Sequence, residues 1–181
     1  MADGTEHRPM EATVTTYYST VPSPVDELLL TADGEGFLTG CFLAGQSHAP
    51  TSDGSWRRDP GPFGEASSQL EAYFAGERTV FDLPLRAPGT GFQTQVWRGL
   101  RSIPFATTVT YGELARTVGH PRAHRAVGSA NGRNPLAVIV PCHRVVAAGG
   151  RLGGYGGGTD RKRRLLDHEF AVAGRTVPDW R

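Results

Sequence analysis

A cysteine and a histidine stand side by side, Cys142-His143, in the run Ile139-Val140-Pro141-Cys142-His143-Arg144-Val145-Val146. The thiolate is the nucleophilic form of cysteine, so an imidazole able to take its proton is what thiol chemistry at neutral pH requires. An isolated cysteine in an apolar run is ordinarily a small core residue. The adjacent histidine, and the residues around the pair, make Cys142 a candidate nucleophile instead. Glu169 lies downstream in Leu165-Leu166-Asp167-His168-Glu169-Phe170.

The surrounding segments are suited to positioning such a group. Asn131-Gly132-Arg133-Asn134-Pro135 is a cluster of turn-forming residues, and Asn134 could bond turn amides ahead of the cysteine. The glycine-rich stretch Gly153-Gly154-Tyr155-Gly156-Gly157-Gly158 has Tyr155 as its one large residue. It lacks the Gly-Lys-Ser/Thr ending of a phosphate loop. Upstream, Thr110-Tyr111-Gly112-Glu113 is a capping box that starts a helix to about Val118. Gly119 ends it, and Pro121 is expected to open a second helix running to about Ala130. Helix, tight turn, helix is the outline of a helix-turn-helix, though any helical hairpin gives the same pattern. The second helix presents Ala123, Ala126, Gly128, Ser129 and Ala130, with Arg125 as one long cation on a surface of small residues. Such a surface can approach a nucleic-acid groove closely.

Charge divides the chain. Residues 1–90 hold five arginines against thirteen acidic residues, a net of −8; residues 91–181 hold fourteen basic against five acidic, a net of +9. The basic half contains a single lysine, Lys162, and is otherwise arginine, whose planar fork suits phosphate. Two cysteines about a hundred residues apart, Cys41 and Cys142, form no disulfide framework and point to a reducing cytoplasm. No 18-residue apolar stretch marks a membrane span, and the acidic first thirty residues do not resemble a signal segment.

Along the chain, residues 1–10 read as a disordered tail. Thr13–Thr20, Val25–Ala32 and Gly36–Leu43 are β-prone runs separated by turn signals, and Cys41 falls in the last as a core residue. The span Ala44–Pro62 reads as a loop, Phe63–Gly76 as an amphipathic helix, Glu77–Gly91 as a linker and Phe92–Ser102 as a further helix. The expectation is an α+β chain. A small N-terminal antiparallel sheet domain with a helix (1–90) precedes a mainly helical C-terminal domain with a helix-turn-helix (91–181).

Phe92-x-x-x-Val96-Trp97, Ile103-Pro104-Phe105, Thr110 to Ala115, Arg125-Ala126-Val127-Gly128, Gly132-Arg133-Asn134-Pro135, Pro141-Cys142-His143-Arg144-Val145 and the Gly-Tyr-Gly-Gly loop together resemble the O6-alkylguanine-DNA alkyltransferases. The specific resemblance covers residues 92–170, and the first half resembles the variable first domain of bacterial members. It implies a monomer, needing no cofactor, that binds duplex DNA in the minor groove and flips out an alkylated guanine. Cys142 would accept the O6-alkyl group irreversibly, once per molecule. It implies Arg125 as the arginine that fills the gap in the base stack. Tyr111 would stack near the guanine and donate a hydrogen bond as O6 is released. Glu169 would hold His143, Asn134 would support the site, and Tyr155 and Gly156 would form the substrate loop. Gly156 replaces a serine found in some members, and Ala106 stands where many have glycine. Some members carry zinc in the first domain; Cys41 and His48 are too few ligands, so no metal is expected. On the residues alone, a Cys-His hydrolase and a helix-turn-helix transcriptional regulator remain as other readings.

Overall fold

The computed structural model describes residues 15–180; the expected tail and the first residues of the opening β-prone run lie outside them. Three strands form as their β-branched and apolar runs require: β1 (Tyr17–Val21), β2 (Leu28–Ala32) and β3 (Leu38–Leu43). They pair antiparallel in the order β3-β2-β1. Leu28, Leu30 and Ala32 of β2 are buried, as alternation in a central strand predicts. The Ala44–Pro62 segment is not wholly a loop. Arg57–Arg58 forms a short β4 that pairs parallel with β1, closing the sheet with two exposed arginines that carry no apolar signal.

After the sheet, α1 (Gly64–Phe74) buries Ala66, Leu70 and Tyr73 on one face. The expected linker is more structured than its prolines suggest. The Leu38 amide donates to Pro84 O at 2.8 Å and the Arg86 amide to Leu38 O at 2.9 Å, so this segment lies along the edge of β3. A second segment uses that edge too: the Cys41 amide donates to Pro135 O, and the Ala137 amide to Cys41 O, each at 2.8 Å. Both contacts satisfy groups an open edge strand would leave unpaired.

The helical half begins with α2 (Gly91–Arg101), whose start is a capping box between Thr90 and Gln93. Two-residue strands β5 (Val109–Thr110) and β6 (Val145–Val146) pair parallel and bracket the site. Between them, α3 (Tyr111–Thr117) starts at its capping box and ends before Gly119, which takes a positive φ of 79°. The second helix of the pair, α4 (His124–Gly132), begins later than expected. Pro121 sits in a turn closed by the Ala123 amide on His120 O at 2.9 Å, so it occupies a turn's second position rather than a helix's first turn. The helix also runs further and absorbs Asn131 and Gly132, which were expected in the following turn.

Last comes α5 (Thr159–Val172), with Lys162, Leu165, Leu166, Glu169 and Phe170 buried. One apolar core joins the halves, with Leu30, Phe63, Leu70 and Tyr73 from the first and Leu100, Leu114, Val127 and Leu165 from the second. The division at residue 90 is therefore one of chain order and charge, not of separate cores.

Candidate active site

Residues 136–142 are rich in β-branched side chains but do not form a strand. They make successive tight turns: Val140 N donates to Leu136 O, Ile139 N to Ala137 O and Cys142 N to Val140 O, each at 2.8 Å. Val138 takes a φ of 70°, rare for a β-branched residue and held only where the surroundings over-determine it. Asn134 supplies part of that hold. Its Nδ2 donates to Val140 O at 2.8 Å and to Cys142 Sγ at 3.0 Å, while its Oδ1 accepts from the Leu136 amide at 3.0 Å. Cys142 then opens a single 3-10 turn, Cys142–Arg144, that leads into β6.

Glu169, from α5, gathers the rest. Its carboxylate accepts from His143 Nε2 at 2.8 Å, Tyr73 Oη at 2.8 Å, the Ala106 amide at 3.0 Å, and Arg144 through Nε at 3.0 Å and Nη2 at 2.9 Å. Burial alone would raise this carboxyl, but the His143 ring and the Arg144 guanidinium outweigh it and hold Glu169 below the usual carboxylate range. With Glu169 ionised, Nε2 carries the proton of the His143–Glu169 contact. That leaves Nδ1 as the basic nitrogen, and it has no partner among the described residues. Burial, reinforced by Arg144 and Lys162 and only partly offset by Glu169, pushes His143 below its ordinary value. The ring is thus neutral and able to accept a proton at pH 7. Cys142 makes no direct hydrogen bond to it among the described residues. Burial raises the thiol's pKa, against the lowering effect of the Asn134 bond and the Lys162 charge. The resting sulfur is a protonated thiol whose activation requires a base.

A cavity of about 310 Å³ opens beside this group, lined by Tyr111, Gly128, Ser129, Asn131, Tyr155 and Gly156 among others. Tyr111 sits at the start of α3, its hydroxyl donating to Gly154 O at 3.3 Å and its ring close to Gly128. Tyr155 holds a buried hydroxyl without a hydrogen bond of good geometry, and burial followed by the nearby Cys142 pushes its pKa well up. Gly157, next to it, has no room for a side chain: a Cβ there would stand 2.4 Å from Leu43 Cδ1. Ser129 and Gly128 reach the cavity from α4. Arg125 is exposed on the same helix, and Ala123 is half-buried at its cap. The structure therefore brings Cys142, His143, Glu169, Asn134, Tyr111, Tyr155, Gly156, Gly128 and Ser129 together, and leaves Arg125 and Ala123 outside the cavity.

Several residues escaped the sequence reading. Tyr73 lies on the buried face of the expected amphipathic helix, where spacing alone marks only core, and its hydroxyl ties the first half to Glu169. Arg144 lay inside the quoted motif but was assigned no role. Lys162 is fully buried and donates to the carbonyls of Val145, Leu152 and Gly154 at 2.6, 2.5 and 3.2 Å. Its signal was its uniqueness as a lysine among arginines. Ala106, read as a departure, adopts a φ of 52°, a region glycine enters at little cost. Among the described residues no group of three or more His, Cys, Asp and Glu could hold a metal, and no helix is long and apolar enough to cross a membrane.

A buried thiol, a histidine held by a carboxylate and two helices joined by a turn are the parts that cysteine-dependent group transfer uses. Residues 91–171 match the 6-O-methylguanine DNA methyltransferase DNA-binding domain, and residues 16–87 match the ribonuclease-like domain of the same proteins. The chain belongs to this family of DNA-repair transferases. It is 51% identical over 157 residues to a methylated-DNA–protein-cysteine methyltransferase of Mycobacterium tuberculosis, covering 87% of this chain and 94% of that one. A protein of the same name from Methanosarcina acetivorans is 50% identical over 153 residues, covering 84% and 97%. The fold matches the crystal structure of Mycobacterium tuberculosis OGT in complex with DNA, with a TM-score of 0.81 and 50% identity over 86% of this chain and 94% of that one. The hydrolase and regulator readings fall away with these likenesses.

Proposed function

We propose that this protein repairs duplex DNA by moving the alkyl group of O6-alkylguanine onto Cys142, once per molecule. The supporting observation is the buried relay in which Glu169 fixes His143 through Nε2 while Asn134 donates to the Cys142 sulfur. His143 Nδ1 takes the thiol proton through one bridging water. The sulfur attacks the alkyl carbon, and the carbon–O6 bond breaks with its electron pair passing to O6. Tyr111, at the cavity mouth, donates its hydroxyl proton toward that oxygen and regains one from solvent. The product is a thioether with no leaving path, so the protein is consumed.

The pair α3–α4 enters the minor groove, and Arg125 fills the stack behind the extruded base. Ala123, Gly128 and Ser129 provide a surface smooth enough for close backbone approach. The protein acts as a monomer in the cytoplasm. The reading is tested by incubation with a duplex holding one O6-methylguanine, followed by intact mass and peptide mapping. One added methyl per molecule, carried on Cys142, is the expected result. Cys142→Ser should bind the duplex and gain no mass; methylation of that variant would overturn the assignment.

A further inference from the structure

The cavity beside Cys142 is not built by the helical half alone. Two residues of the first half, Ser47 and His48, line it together with Tyr111, Arg133, Tyr155 and Gly156. They lie in the turn region that follows β3, with three residues between its end and Ser47, and the corner they form with Gln46 is tied down on three sides. The buried Gln46 accepts from the Leu43 amide through Oε1 at 3.0 Å, and its Nε2 donates to Asn134 O at 3.2 Å. The Ser47 amide donates to Gly156 O at 2.9 Å. The corner thus touches both the asparagine that holds the sulfur and the glycine-rich loop. His48 itself adopts a φ of 66°. For a residue with a Cβ this costs about 1–2 kcal/mol, and such conformations concentrate where a site requires them.

We infer that the Gln46–His48 corner forms one wall of the alkylguanine cavity, and that His48 limits the size of the alkyl group accepted. This rests on the transferase reading above and adds a specificity-determining residue from the first half. The reasoning is one of space. A small substituent leaves the wall untouched, whereas a benzyl group must be accommodated between the loop at Gly156 and whatever faces it. Gly156 has no side chain to contribute. His48 lines the cavity and is exposed rather than part of the core, so a change in its size alters the space there without disturbing core packing.

The test compares single-turnover alkylation of the full chain by two otherwise identical duplexes, one holding O6-methylguanine and the other O6-benzylguanine. His48→Asn shortens the side chain and tolerates a positive φ; His48→Trp enlarges it. A change of this size in a shaped pocket is expected to move the benzyl-to-methyl rate ratio by about tenfold, up for the asparagine variant and down for tryptophan. The methyl rate should stay within about twofold of the unsubstituted protein, because the relay is untouched. A ratio unchanged in both variants, or methyl and benzyl rates falling together, overturns the wall. Absence of transfer from either duplex to the unsubstituted protein overturns the transferase reading itself, and this inference with it.

Discussion

Glu169 receives six hydrogen bonds, and its two oxygens orient His143, neutralise Arg144, anchor Tyr73 and hold the Ala106 amide. Because Arg144 supplies the countercharge, His143 need not be protonated to satisfy the carboxylate. The pH dependence follows. Burial places the His143 pKa below 6.5, so the base form persists into mildly acidic solution. On the alkaline side Lys162, pushed down to about 8 by burial, loses the charge that favours the Cys142 thiolate. Reaction with free O6-benzylguanine, which avoids DNA-binding effects, should hold a plateau from below pH 6.5 and decline above about pH 8. A rate climbing steadily with pH, as for an unassisted thiol, would sink this account. Stability has the matching sign. The unfolded chain binds a proton that buried His143 refuses, so stability falls as pH drops below about 6.5. Cys142 and His143 stand out in the sequence because their residue types are chemically specific, whereas Glu169 joins them only through the family resemblance, since a surface carboxylate on a helix would look the same. Tyr73 does not stand out, because a buried tyrosine at helical spacing is indistinguishable from core until its hydroxyl has a partner.

At the scale of elements, the capping box at Thr110 fixed the start of α3 in sequence and in space, since both of its reciprocal bonds form. The start of α4 was misplaced because Pro121 suits a turn's second position as well as a helix's first. Which it takes depends on the His120–Ala123 bond. The two-residue β4 and the 3-10 turn at Cys142 left no pattern to read: one is polar, and the other is a β-prone run bent by Asn134. The Arg125 proposal belongs here, since it depends on how α4 carries an exposed cation. Arg125→Ala should weaken binding to a lesion duplex by about tenfold or more, the few kcal/mol of unstacking no longer being compensated. Reaction with the free alkylated base should be unaffected. Equal loss on both substrates would remove the role in the stack.

The whole molecule joins an acidic half to a basic one through a shared core, the edge of β3 and the Tyr73–Glu169 bond. Composition exposed the charge division, and turn signals outlined the strands. Neither could show that the first half reaches the relay, because contacts between residues 96 positions apart leave no local trace. Tyr73→Phe removes one hydrogen bond to a buried carboxylate, a loss of about 1.5–3 kcal/mol. For a chain of this length the melting temperature should fall by about 3–12 °C. The alkylation rate should fall too, because Glu169 loses a restraint on its orientation. An unchanged melting temperature would show that the two halves are not coupled through this hydroxyl.

Lys162 has a further consequence. It is the one lysine in the sequence and is fully buried, with its ammonium enclosed by three carbonyls. Apart from the α-amino group, the folded protein therefore offers acylating reagents no reachable amine. Acylation of Lys162 becomes a clock for opening of the core around the glycine-rich loop, readable at a single peptide.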